Sequence, residues 1–385
     1  MVHYIGCDDP TLDLFEGQYH VPDGMCYNSY YIDDQHPAIM DTVDARCGEE
    51  WKTKLAEVVA KTGREPEYLV VQHMEPDHSA LVAWAVGQYP ALKLVLSAQA
   101  LKFLSQFFEG INVEGRTMVV KDGSTLSLGH HELHFIGAPM VHWPEVIVSY
   151  DAVEKTLFSA DAFGKFGVYA ADEDDWACEA RRYYFNICGK YGVQVQSLLK
   201  KVAAAGPVER ICPLHGPVLE GEKMAEALRL YNIWSSYGVE TEGVFVAYAS
   251  IHGGTKEAAL KLADILREKG CPKVAVSDLT RDDQAEAVED AFRYGRMVVC
   301  ASSYDASLFP PMFHFLHKLQ LKAYQQRRVG IVENGSWAPS AGKVMTEMLA
   351  QMKQVEVVQP MITLRSRLHS DQLPQLEQLA DAILA

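Results

Sequence analysis

Apolar and polar positions divide the chain into two stretches with different rhythms. Up to about residue 240, short apolar runs alternate irregularly with amphipathic segments. His3 to Ile5, Ser29 to Ile32, Ala38 to Val43, Tyr68 to Val71 and Lys93 to Leu96 read as strands, and so do Thr117 to Lys121, Glu132 to Gly137, Val146 to Tyr150 and Thr156 to Ala160. Helical spacing covers Glu49 to Thr62, Ala80 to Tyr89, Ala98 to Phe108, Gln194 to Ala205 and Glu222 to Trp234. Two blocks of strands, each followed by helices, predict two sheets packed face to face with helices outside.

From about Glu242 the alternation is strict. Strands at Val244 to Tyr248, Val274 to Val276, Met297 to Ala301, Val329 to Val332 and Val355 to Val358 are each followed by a helix: Thr255 to Glu268, Asp282 to Tyr294, Met312 to Tyr324, Gly342 to Met352 and Leu373 to Leu384. Near-continuous apolar strands separated by helices predict a parallel, doubly wound sheet of five strands. The expected domains are therefore residues 1–240 and 241–385, joined by a short polar hinge near Ser235 to Thr241.

Composition removes several classes of function. With 385 residues, 48% of them hydrophobic, there is material for two cores. No run approaches the roughly 20 apolar residues of a membrane helix, and Met1-Val2-His3-Tyr4 does not begin an export signal. A formal charge of −16 disfavours a nucleic-acid partner. The cysteines are scattered without a C-x-x-C pair, which excludes an appended rubredoxin or zinc-ribbon module and points to reduced thiols. A cytoplasmic protein is expected, with no membrane partner.

The chemistry concentrates at strand ends. The run Leu69-Val70-Val71 leads into Gln72-His73-Met74-Glu75-Pro76-Asp77-His78, where His73, Glu75, Asp77 and His78 are potential metal ligands. Pro76 is expected to keep this segment a loop, with Asp77 and His78 at the start of the helix beginning at Ala80. Two imidazoles and two carboxylates on one loop suit a pair of borderline-hard transition ions. His142, before Trp143-Pro144, Asp161, before Ala162-Phe163-Gly164, and His215, before Gly216-Pro217, each follow an apolar run and precede a turn. If these strand ends converge, seven ligands meet, and Asp161 is the natural bridge between two cations. His130, His131 and His134 read as surface residues on an exposed turn and strand.

The pattern H-x-[EH]-x-D-H followed by a later His, Asp and His resembles the metallo-β-lactamase superfamily. Its form here, H-x-E-x-D-H joined to a flavodoxin-like C-terminal domain, resembles the flavodiiron proteins over essentially the whole chain. The resemblance implies a metallo-β-lactamase-like αββα sandwich followed by a flavodoxin-like domain. It places one iron on His73, Glu75 and His142 and the other on Asp77, His78 and His215, with Asp161 bridging. It also implies that His78 can swing away and leave water in its place. Hydrolytic relatives usually carry His where Glu75 stands; a charged oxygen there shifts preference from zinc toward iron. Gly24-x-x-Tyr27-Asn28-Ser29-Tyr30 and Arg181-Arg182-Tyr183-Tyr184 also match the family, and packing or turn formation accounts for them equally well.

At the end of the first strand of the second domain, Ser250-Ile251-His252-Gly253-Gly254-Thr255 opens a helix. Hydroxyls and glycine amides at a helix N-terminus suit a phosphate monoester. The absence of G-x-x-x-x-G-K-[ST] disfavours a nucleoside triphosphate. The loop resembles the phosphate loop of flavodoxins, with His252 where many of them carry Ser or Thr. Two further loops, Ser302-Ser303-Tyr304-Asp305 and Asn334-Gly335-Ser336-Trp337-Ala338, end the third and fourth strands, where open parallel sheets bind ligands. Tyr304 and Trp337 can flank an isoalloxazine ring, so FMN is the expected cofactor of this domain. Together with the resemblance, this implies a reductase passing electrons from FMN to two non-haem irons that reduce dioxygen to water, nitric oxide to nitrous oxide, or both. The resemblance further implies a head-to-tail homodimer or dimer of dimers, and rubredoxin or a reduced deazaflavin as electron donor. Two rivals are a dizinc hydrolase with an accessory flavodoxin domain, which Glu75 opposes, and a flavin electron carrier, which the intact set of seven ligands opposes.

Overall fold

The computed structural model describes residues 1–171 and 175–385. The chain divides into two compact units, Met1–Asn232 and Ile233–Ala385.

In the first unit two six-stranded sheets carry the core. One runs in the order Val2–Tyr4, Tyr30–Ile32, Ala38–Met40, Tyr68–Val71, Lys93–Ser97, Thr117–Val120. Its first two pairings are antiparallel and the remaining three parallel. The other runs Thr125–Ser127, Glu132–Gly137, Ile147–Asp151, Thr156–Phe158, Arg210–Cys212, Leu219–Glu220, antiparallel except between Thr156–Phe158 and Arg210–Cys212. Alternate residues of the two sheets meet in one cluster: Tyr30, Met40, Val70 and Val95 from the first, Leu133, Phe135, Ile147 and Phe158 from the second. The period of two sends Leu94 and Leu96, also buried, to the opposite face, where helix Ala98–Phe107 lies on its sheet. Helix Gly192–Ala205 covers strand Glu132–Gly137 of the second sheet. This is the sandwich expected of a metallo-β-lactamase-like domain.

The second unit carries parallel strands in the order Val274–Asp278, Thr241–Ala249, Tyr294–Tyr304, Arg328–Asn334, Glu356–Val357. That is order 2-1-3-4-5, the flavodoxin-like winding. Val244, Val246 and Tyr248 pack under helices Gly254–Glu268 and Leu373–Leu384 on one face. Phe245 points to the other, 6.3 Å from the Phe315 ring on helix Pro310–Leu321.

Four local expectations are corrected. The fifth strand is split: after Glu356–Val357 the chain passes Gln359-Pro360, and a separate strand, Ile362–Leu364, pairs with the end of Arg328–Asn334. A proline has no N–H for the ladder, so pairing lapses there. Pro76 begins a helical turn, Pro76–Ser79, and does not prevent one, because its missing N–H lies among those a first turn leaves unpaired anyway. The following helix is shorter than expected, Val82–Gln88. The segment read as a polar hinge is anchored: the buried Arg327 donates to the carbonyls of Tyr237 at 2.7 Å and Gly238 at 2.9 Å.

Candidate metal centre and phosphate-loop cleft

Each potential ligand leaves a strand or turn whose backbone is fixed before the side chain is. His73 follows the buried strand Tyr68–Val71, and Glu75 is the N-cap of the turn that carries Asp77 and His78. Asp161 lies just past Thr156–Phe158 in a turn closed by the Ser159 hydroxyl donating to the Ala162 carbonyl at 2.7 Å. His215 lies past Arg210–Cys212. Its loop is clamped by Asn28, whose side-chain amide donates to the carbonyls of Pro213 at 2.8 Å and Gly216 at 2.7 Å. Asn28 therefore has a defined task, holding the loop that presents His215.

The seven side chains form two groups, His73, Glu75, His142 and Asp161, and Asp77, His78 and His215. The two oxygens of Asp161 face different groups. Oδ2 stands 3.3 Å from His73 Nε2 and 3.1 Å from His142 Nε2; Oδ1 stands 3.2 Å from His78 Nε2 and 3.6 Å from His215 Nε2. Glu75 Oε2 lies 3.1 Å from His73 Nε2 and 3.0 Å from His142 Nε2, and Asp77 Oδ2 lies 3.4 Å from both His78 Nε2 and His215 Nε2. Two donors bound to one ion at about 2.1 Å, at right angles or tetrahedrally, stand roughly 3.0–3.4 Å apart. Nearly all of these separations fall in that range.

Hydrogen bonding alone does not account for the cluster. Both oxygens of Asp77, both oxygens of Asp161 and both ring nitrogens of His78 are buried without a hydrogen-bond partner. Leaving so many polar atoms unsatisfied costs about 1–3 kcal/mol each, and a cation between them removes that cost for the atoms that face it, His78 Nε2 among them. Burial opposes ionisation of Asp161, yet the His73 and His78 rings hold its carboxyl well below the usual carboxylate range. Burial also opposes charge on His142, but the Asp161 and Glu75 carboxylates beside its Nε2 push it up to about 9. Three carboxylates and four imidazoles fit two divalent ions, with the carboxylates offsetting most of their charge.

Glu145 belongs with the site although sequence reading passed over it. Its Oε1 is 2.7 Å from His73 Nδ1 and accepts the Met74 N–H at 2.9 Å. The carboxylate holds the Nδ1 proton and leaves Nε2 free to face the cluster. The Cys26 carbonyl, 2.7 Å from His215 Nδ1, does the same for that ring. Glu145→Gln is expected to weaken iron binding by about 10- to 100-fold while the fold persists; iron retention against a chelator series measures it. His131, expected at the surface, is buried, with Nδ1 2.6 Å from Asp151 Oδ2. The Asp151 partner, twenty residues away, makes that burial tolerable and is not visible in local sequence.

A cleft of about 190 Å³ opens on Glu75 and Asp77, with Leu12, Leu14, Phe15 and Tyr27 among its walls. It is smaller than the roughly 300–1,000 Å³ clefts that take drug-sized ligands.

In the second unit the three expected loops line one cleft of about 730 Å³. All fifteen candidate residues line it except Gly253, which is the left-handed N-cap of helix Gly254–Glu268 at φ +92. Thr255 Oγ1 is 2.9 Å from Ser302 Oγ and accepts from Asn334 Nδ2 at 3.2 Å, so hydroxyls at the ends of the first and third strands and an amide at the end of the fourth are tied together. Tyr304 and Trp337 are exposed at the cleft, Trp337 at 88%. Hydroxyls at a helix N-terminus with exposed aromatics beside them suit a phosphorylated, flat heteroaromatic such as FMN. Ala306, Pro339, Ser340 and Ser366 also line the cleft. The first three flank expected loops; Ser366 belongs to a segment sequence reading did not consider.

Known proteins share this arrangement. A family profile described as "ODP family beta lactamase" matches residues 25–216. A rubredoxin-oxygen oxidoreductase of Megalodesulfovibrio gigas is 27% identical over 390 residues, covering 99% of this chain and 95% of that protein. An anaerobic nitric oxide reductase flavorubredoxin of Escherichia coli is 25% identical over 351 residues, 88% of this chain and 72% of that one. Among solved structures, rubredoxin oxygen:oxidoreductase from Desulfovibrio gigas superposes with a TM-score of 0.92 at 26% identity, covering 100% of this chain and 96% of that one. The flavodiiron protein of Giardia intestinalis shares the fold, with a TM-score of 0.91 at 24% identity over 100% of this chain and 93% of that one. With a sandwich that gathers imidazoles and carboxylates around Asp161, a flavodoxin-like unit with a phosphate-loop cleft, and full-length relatives of the same build, the chain belongs to the flavodiiron protein family.

Proposed function

We propose that this chain is a flavodiiron reductase, which takes electrons through FMN to a non-haem diiron centre and reduces dioxygen to water, nitric oxide to nitrous oxide, or both. The observation that carries the proposal is Asp161, whose two oxygens each face a separate group of imidazole and carboxylate donors. Relatives named for oxygen reduction with rubredoxin and for nitric oxide reduction support it.

In this reading residues 1–240 form the iron domain. His73, Glu75 and His142 hold one iron, Asp77, His78 and His215 the other, and Asp161 bridges. Residues 241–385 form the FMN domain, with Ser250 to Thr255 at the phosphate and the Ser302 to Asp305 and Asn334 to Ala338 loops beside the ring. When bound, the irons supply positions and electrons for reducing a diatomic gas, and FMN passes electrons on from the donor. The chain's own contribution is placement. Glu145 holds a proton at His73 Nδ1 and so fixes that ring's orientation. Burial of His73, Asp77, His78, Asp161 and His215 limits the access of bulk water, and the 190 Å³ cleft leads to Glu75 and Asp77. Glu75 disfavours zinc and with it the hydrolytic reading. The donor is rubredoxin or a reduced deazaflavin, the assembly a head-to-tail homodimer, and the compartment the cytoplasm. Among the described residues no helix is long and apolar enough to cross a membrane.

Metal analysis and anaerobic stopped-flow mixing of the purified protein test the proposal. Two irons and one FMN per chain, with consumption of dioxygen or nitric oxide that depends on the reductant, are the expected result. Zinc, with turnover of an ester or amide in the absence of any reductant, would overturn it.

A further inference from the structure

The phosphate loop does not enclose its cleft alone. Beyond strand Ile362–Leu364 the chain runs Arg365-Ser366-Arg367, and Ser366 lines the same cleft as Ser250, Thr255 and Ser302. Ser366 sits at φ +75, a left-handed conformation that a residue other than glycine keeps only where its surroundings enforce it. Asn334 enforces it from both sides. Its Nδ2 donates to the Ser366 carbonyl at 3.0 Å, and its Oδ1 accepts the Ser366 N–H at 3.0 Å. The same Nδ2 reaches Thr255 Oγ1 in the phosphate loop. One amide side chain thus locks the segment after the last strand to the segment after the first.

Gly254 shows what this lock achieves. A Cβ there would lie 2.1 Å from the Ser366 carbonyl oxygen and 3.3 Å from Arg367 Cα. Ser366 therefore fills the space that a side chain in the phosphate loop would otherwise take. Its hydroxyl is 2.8 Å from Ser336 Oγ. Of the two protons on that pair, one lies between the oxygens, and the hydroxyl that accepts it keeps its own proton free to donate to a ligand. Among the described residues no lysine or arginine lines the cleft, and the neighbouring Arg367 guanidinium is turned to Glu257 at 3.3 Å. Hydroxyl and backbone N–H donors must therefore supply much of any phosphate's hydrogen bonding here, with His252 beside them.

We propose that the Ser366 hydroxyl is a ligand of the FMN phosphate, supplied from a segment outside the phosphate loop whose backbone packs against Gly254, and that Asn334 is the positioning residue that holds that segment there. The assignment rests on the FMN reading of this cleft. Hydrogen bonds to a charged oxygen are stronger than neutral ones, so removing one has a measurable effect on affinity.

Flavin-depleted full-length protein is titrated with FMN and with riboflavin, which lacks the phosphate, and quenching of flavin fluorescence gives each Kd. Ser366→Ala is expected to weaken FMN by about tenfold or more and riboflavin by less than about twofold. Ser366→Gly adopts the left-handed backbone freely and also lacks the hydroxyl, so it should reproduce the FMN loss even if the alanine variant fails to fold. Asn334→Ala should show the same bias toward FMN. Unchanged FMN affinity in both Ser366 variants, or equal losses of FMN and riboflavin, overturns the assignment. If the wild-type protein binds neither flavin, the FMN reading itself fails and this assignment with it.

Discussion

Asp161→Ala is expected to empty both iron positions while FMN binding stays at the wild-type level. The carboxylate is buried, and each of its oxygens serves a different set of donors. An alanine there leaves His73, His142, His78 and His215 clustered with two carboxylates instead of three, and two divalent ions with less negative charge between them. Losing a partner that only orients a ligand costs about 10- to 100-fold in metal affinity; losing the bridge should exceed the upper end of that range. The flavin cleft is built wholly from residues of the unit Ile233–Ala385, so it has no reason to change. Iron and flavin content of the purified variant are the readout. Full iron occupancy would show that Asp161 does not bridge, and loss of both cofactors would point to general misfolding.

The strand ends that present the potential ligands are legible because their chemistry is local. A run such as Leu69-Val70-Val71 is apolar enough to be a buried strand, and the polar residues after it stand out. What supports those residues is long-range. Glu145 touches His73 across a separation of 72 residues, and Asn28 reaches the His215 loop across 185 and 188. Nothing near Glu145 or Asn28 in the chain announces such a partner.

The elements that sequence reading passed over are unreadable for two physical reasons. The hairpin Leu14–Phe15 with Tyr19–His20 and the pair Cys7–Asp9 with Met25–Tyr27 are too short to show any period. Helix Trp176–Ile187 fails differently, since Ala180 through Asn186 are all buried, Arg181 and Arg182 included. A helix covered all round has no polar stripe to reveal its turn. Helix Leu373–Leu384, by contrast, has Leu376, Leu379, Ala380 and Ile383 on one buried face and is found at its true bounds. Its spacing of three, one and three residues is the helical period itself.

Gly254→Ala is expected to abolish tight FMN binding while leaving iron in place. The added Cβ would stand 2.1 Å from the Ser366 carbonyl oxygen and 3.2 Å from the Ser366 carbonyl carbon. These are backbone atoms of a residue held by two hydrogen bonds with the Asn334 side chain, one donated by Nδ2 and one accepted by Oδ1, so they cannot yield as the end of a flexible side chain would. Relief requires the phosphate loop or the Arg365 to Arg367 segment to move, at an overpacking cost of about 1–3 kcal/mol or more. If that cost falls on the geometry that binds FMN, affinity drops by about 10- to 100-fold, at 1.4 kcal/mol per tenfold. Gly253→Ala is the control. Its φ of +92 strains any side chain, but a Cβ there meets nothing within 4 Å. Backbone strain alone should cost about 1–2 kcal/mol and leave a smaller loss of FMN than the collision at the next residue. Fluorescence titration of both variants decides the matter: a loss at Gly254→Ala no larger than at Gly253→Ala would mean that the packing of Ser366 against the phosphate loop is not what makes this turn intolerant of a side chain.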